Sequence, residues 1–127
     1  MNYGYQKTVT IGFDEAEVKV RGTLMEQGFG ILSEIDVKKA FKEKLNINFQ
    51  RYTILGACNP ALAHQALTSE LEVGMLMPCN VVIWENKDSS VTISAADAKE
   101  LLSVTDADLS AIAIEANECL KTAIDAV

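Results

Sequence analysis

Tyr52-Thr53-Ile54-Leu55-Gly56-Ala57-Cys58-Asn59-Pro60 is the stretch whose reading decides the fold. Its first seven residues are apolar apart from Thr53, which predicts a central strand covered on both faces. Asn59 then supplies a helix N-cap, and Pro60 suits the first helical position, where a missing N–H costs nothing. A related cluster, Pro78-Cys79-Asn80, stands just ahead of the strand-like run Val81 to Glu85. The chain has two prolines and three cysteines, so both prolines and two of the thiols fall in these two places. That concentration predicts two tightly shaped turns whose sulfurs can face each other.

Working outward, Tyr3 to Gly12 alternates in character and predicts a strand. Asp14 and Glu17 have the spacing of a capping box, and Ala16, Val20 and Leu24 form a buried helical stripe behind it. Gly28 is placed to end that helix in the left-handed conformation, with Phe29 folding back on the last turn. Phe29, Ile31, Ser33 and Ile35 give a second strand, and Asp36 caps a short helix through Val37, Ala40, Phe41 and Leu45. Downstream, the helix from Pro60 carries Leu62, Ala63, Ala66 and Leu67 on its apolar side. Met75 to Met77 reads as an extension of a strand. Asn80 to Glu85 and Val91 to Ser94, joined by the polar turn Asn86-Lys87-Asp88-Ser89, predict an antiparallel hairpin. A helical turn over Asp97 to Leu102 follows. The last helix is expected to open near Thr105 or Asp106, with Leu109, Ile112, Ala113, Ala116, Leu120 and Ala123 on one face.

Strands that pair as hairpins rather than through long crossovers predict an α+β fold. The expectation is a mainly antiparallel sheet with helices packed on one face, as one compact domain over residues 1–127. Such a sheet leaves its other face or an edge uncovered, and a homodimer is the common remedy.

The net charge of -7 and the sequence pI near 4.6 repel phosphate backbones, so nucleic acid is not an expected partner. Lys38, Lys39, Lys42 and Lys44 share one short helix and read as a solvated face. No apolar run reaches transmembrane length, and Met1 to Lys7 does not resemble a signal peptide. With an odd cysteine count, this predicts free thiols, a cytoplasmic location and no membrane partner.

The stretch from Tyr52 to Pro60, followed by Ala63, Ala66-Leu67 and Gly74-Met75-Leu76-Met77-Pro78-Cys79-Asn80-Val81, resembles the DUF302 family of small bacterial and archaeal domains. The likeness covers nearly the whole chain. It implies a compact α+β domain that tends to form homodimers, and it implies no settled activity. One departure is Asp97-Ala98, where the family often has Asp-Pro after the hairpin.

Cys58 precedes a predicted helix, whose dipole and unpaired N–H groups favour a thiolate; the plainer reading is a small residue packing a tight turn. Cys79 opens the next strand and reaches the same end of the sheet if the two strands run antiparallel. Such a pair could hold a soft metal or a small sulfur compound, or oxidise to a disulfide. Two thiols leave a tetrahedral site half built, so a second chain or His64 would have to complete it. His64, the one histidine, reads as a surface residue one turn beyond Asn59, with a Cys58–His64 pair as the sharper alternative. Cys119, Met75 and Met77 read as core or interface packing, Trp84 as core or dimer face, and Asp97, Asp106 and Asp108 as caps and turn formers. Asn59 and Asn80 either shape backbone or orient a small polar or anionic ligand.

Two function classes follow. One is a homodimeric small-ligand or thiol-chemistry module built on Cys58, Asn59, Pro60, Cys79, Asn80 and His64. The other is a non-catalytic dimeric binding or scaffold domain in which the Cys-Asn motifs only shape turns. The sequence names no cofactor and no reaction.

Overall fold

The computed structural model describes residues 3–127. In chain order the elements are β1 (Gly4–Val9), α1 (Phe13–Glu26), β2 (Gly30–Asp36), α2 (Val37–Leu45), β3 (Tyr52–Cys58) and α3 (Pro60–Ser69). A 3₁₀ turn (Leu71–Leu76), β4 (Cys79–Glu85), β5 (Val91–Ala96), α4 (Ala98–Leu102) and α5 (Ser110–Asp125) complete them. The strands form one sheet in the order β1-β5-β4-β3-β2, and every neighbouring pair is antiparallel. The fold is therefore α+β, and β3 lies inside the sheet, as its unbroken apolar run requires.

Side chains alternate across a strand, so one set of positions meets the helices. Leu55 and Ala57 on β3, Val81 and Ile83 on β4, and Ile93 and Ala95 on β5 are buried in one cluster. Ala16, Val20 and Leu24 of α1 and Leu120, Ala123 and Ile124 of α5 close over them. Each fully buried Leu, Ile or Val contributes about 1.5–3 kcal/mol, so this layer holds the fold together. α2 differs: none of its residues is buried. No helix among the described residues is long and apolar enough to cross a membrane.

The local signals are kept at several turns. Gly28 has φ of +85°, and the Phe29 N–H returns to the Leu24 carbonyl at 2.9 Å, closing α1 as expected. Asp36 Oδ1 accepts from the Lys39 N–H at 3.0 Å and caps α2, and Lys38, Lys39, Lys42 and Lys44 are all exposed.

Four expectations are corrected. The Asp14–Glu17 capping box does not form, because α1 begins at Phe13 with Gly12 as its cap residue. Phe13 is buried beneath the Arg51 guanidinium, 4.2 Å from its ring, and Arg51 also binds the Asp14 carboxylate at 2.6 Å. Met75 is not in a strand or the core: it lies on the 3₁₀ turn and is 83% exposed, while Val73 anchors that turn. α5 opens at Ser110, because Thr105 Oγ1 bonds to the Leu102 and Ala107 carbonyls and keeps the preceding residues in turns. The alternation of β2 is broken by a bulge between Ile31 and Ser33, which leaves Leu32 out of the ladder.

Candidate functional site

The β3–β4 register sets the two cysteine motifs side by side. Ala57 pairs with Cys79 and Gly56 with Asn80, so the end of β3 meets the start of β4. Cys58 and Cys79 line one cavity of about 50 Å³ at that end of the sheet, walled by α3, α4 and α5. Its space comes from small side chains that arrive from distant elements: Ala57, Ala66, Ala98 and Ala116. A water needs roughly 10–15 Å³ of such volume, so the cavity admits a ligand of only a few heavy atoms. Its lining is almost wholly apolar and includes no charged side chain.

Burial pushes the Cys79 thiol up, and the neighbouring Cys58 charge adds to the shift. Cys119 is also pushed up, first by burial and then by Glu115 and Glu118. It packs against the main core from α5 and does not line the cavity.

Asn59 acts as the cap that its position predicts. Its Oδ1 accepts from the Leu62 N–H at 3.3 Å, and its carbonyl accepts from the Ala63 N–H at 2.9 Å. Pro60, at the first helical position, has no N–H to offer. Much of the α3 N-terminus is therefore satisfied by its own cap, which leaves it little capacity for an anion. The Asn59 amide also packs on Gly28, where a Cβ would lie 3.2 Å from Nδ2.

The remaining predicted residues lie elsewhere. Asn80 is exposed and belongs to a groove on the other face of the sheet, so the Cys79-Asn80 pair is divided by strand alternation. His64 is exposed on α3 and is not among the residues lining the cavity. The Met77–Pro78 peptide is cis. Among the described residues no group of three or more His, Cys, Asp or Glu side chains is placed to hold a metal ion.

The groove is the feature that the sequence reading missed. Tyr52 and Trp84 are paired across β3 and β4 and stack with centroids 5.9 Å apart and planes 8° apart. Phe49 leans on Tyr52, and Phe41 of α2 meets Phe49 edge-on. Trp84 is half-buried there and lies outside the core clusters. Its alternation with Ile83 is the sequence signal that could have placed it on the open face.

A family model described as a domain of unknown function, DUF302, matches residues 5–127. The crystal structure of an uncharacterized conserved DUF302 protein from Bacillus stearothermophilus is similar in fold, with a TM-score of 0.90. The two sequences are 26% identical, and the alignment covers 98% of each chain. No curated protein matches the chain.

Proposed function

The chain belongs to the DUF302 family, and on that premise we propose that the whole chain is one small-ligand, thiol-chemistry module working through Cys58 and Cys79. The observation that carries this reading is that Cys58 and Cys79 both belong to the lining of the same small apolar cavity. Its size and lack of charge select a neutral sulfur compound of a few heavy atoms, such as a short dialkyl disulfide. A soft metal is favoured less, because Cys79 holds its proton and the chain offers the pair no third ligand among its described residues.

The chemistry suited to such a pair is thiol–disulfide exchange. The Cys58 thiolate attacks one sulfur of the bound disulfide; a Cys58–S bond forms, the substrate S–S bond breaks, and one thiolate leaves to take a proton from water. Cys79 then gives its proton to solvent and attacks the Cys58 sulfur, releasing the second thiol. The substrate is reduced by two electrons and the cysteine pair oxidised by two. Asn59 and Pro60 act by fixing the start of α3, which forms one wall of the cavity.

Pairing of two copies belongs to the same reading. α2 has apolar residues Val37, Ala40, Phe41 and Leu45 yet buries none of them, and Leu32, Ile35, Leu45 and Ile47 are all exposed nearby in sequence. A second copy would cover that stripe. Sedimentation at micromolar concentration is expected to give a dimer that Leu45→Glu converts to a folded monomer; a wild-type monomer would remove this part.

The test of the thiol reading is mass spectrometry of the reduced protein after exposure to dimethyl disulfide. Wild type is expected to lose two hydrogens and carry a Cys58–Cys79 bond, while Cys79→Ser stops at a methylthio adduct on Cys58. If both Cys→Ser variants lose stability and the wild-type thiols stay unreacted, the turns are structural and the scaffold reading takes over.

A further inference from the structure

We propose that the groove on the open face of the sheet binds a neutral, planar heteroaromatic molecule. The groove encloses about 570 Å³, within the roughly 300–1,000 Å³ typical of small-molecule sites. Phe49, Tyr52 and Trp84 form an aromatic wall, and Gln6, Gln50 and Asn80 supply neutral donors and acceptors. On the far side, Gly4 keeps the floor low: a Cβ there would come to 2.7 Å from Ser94 Oγ.

Two features identify the class of occupant. The first is charge. The chain carries 18 acidic and 11 basic residues, yet none of them lines this groove. Among the described residues lining the groove, a phosphate or carboxylate would find no cation to pair with, and the protein around it is net negative, so the ligand is uncharged. The second is flatness. The nearly parallel Tyr52 and Trp84 rings offer π-faces of one orientation, which suits offset stacking with another flat ring.

The wall is also held in place before any ligand arrives. Trp84 Nε1–H donates to Asn86 Oδ1 at 2.9 Å, and the Asn86 amide donates to Ser90 Oγ and Thr92 Oγ1. An indole fixed in this way loses little freedom on binding. The amide edges of Gln6 and Asn80 are exposed and can read the ring's heteroatoms. This inference is independent of the thiol reading, because Cys79 lines the cavity at the helix side whereas Asn80 lines the groove.

Trp84 is the sole tryptophan, so its emission reports on the groove alone. Lumiflavin, caffeine and lumichrome, all neutral, planar and heteroaromatic, are titrated into the full chain. At least one is expected to quench Trp84 saturably at micromolar concentration, with binding at least tenfold weaker in Asn80→Ala and in Tyr52→Leu. Asn80 is exposed, so its variant keeps the fold, which circular dichroism checks. Quenching that stays linear for all three compounds, or that is equal in both variants, overturns the proposal. So does a dimer in which Trp84 is shielded from acrylamide and none of the three binds, since the face is then an interface between copies.

Discussion

Pro78 lies against Gly56 so closely that a Cβ on the glycine would come to 2.8 Å from the proline Cγ, while Ser33 Oγ would collide with it from the neighbouring strand. Gly56 is opposite Ser33 on one side and Asn80 on the other, so three strands meet at a point with no room for a methyl group. Gly56→Ala is expected to cost about 1–3 kcal/mol by overpacking. Urea unfolding should show a lower midpoint with an unchanged slope. Adding Ser33→Ala removes one of the two colliding atoms and is expected to recover part of the loss; no recovery would assign the strain to Pro78 alone.

Where the family often has Asp-Pro, this chain has Asp97-Ala98, and the structure gives the alanine N–H a partner. It donates to Asn117 Oδ1 at 2.8 Å, while Asn117 Nδ2 donates to Asp97 Oδ1 at 2.8 Å. Ala98→Pro suits the first helical position by conformation but removes that donor and leaves a part-buried carbonyl oxygen without it. The expected cost is about 1–3 kcal/mol, the range for an unsatisfied polar group. In an Asn117→Leu background the same substitution should be neutral or mildly stabilising. Equal effects in both backgrounds, measured as a double-mutant cycle, would show that the Asn117 bond contributes nothing.

The same reciprocal bonds and the buried thiol set the pH limits of the fold. Burial alone would raise the Asp97 carboxyl. The Asn117 amide and the Glu100 and Lys99 N–H groups outweigh it, so the group sits below its ordinary 3.8. Its contribution is complete above that value and is lost as pH falls through the lower folded one. Cys79 has the opposite sign. Its folded thiol is raised above 9.0, so the unfolded chain releases the proton first and stability falls as pH climbs from there toward the folded value. Melting temperature against pH should fall at both ends. Cys79→Ala is expected to flatten the alkaline limb, and Asp97→Asn the acid one; an unchanged alkaline limb would remove Cys79 as a source.

What could be read from sequence is what depends on neighbours along the chain. Asp36 and Asn59 cap their helices, and Gly28 takes the left-handed turn, because a cap needs only the next three residues. The meeting of Cys58 and Cys79 hung on an antiparallel β3–β4 pair, which the helix and 3₁₀ turn between those strands left open and the register supplies. Asp14 misled, since Arg51, arriving from a distant loop, takes its carboxylate. Met75 misled because apolar composition alone cannot tell a strand from a 3₁₀ turn. The cavity was beyond reach: it exists because Ala66, Ala98 and Ala116 on three helices are all small where they converge.

That convergence gives a way to separate a binding cavity from a packing defect. Ala66 is 3% exposed and lines the cavity, so Ala66→Val pushes two further carbons into it. If the space is merely unfilled, the added apolar burial stabilises by about 0.8 kcal/mol per carbon, and little else changes. If it is where a small sulfur compound meets the thiol pair, the same stabilised protein should also lose most of its reaction with dimethyl disulfide. Labelling of Cys119, which lies outside the cavity, should then stay as it was. A stabilised Ala66→Val protein whose Cys58 and Cys79 react as fast as wild type would separate the cavity from the chemistry and leave the thiols as packing residues.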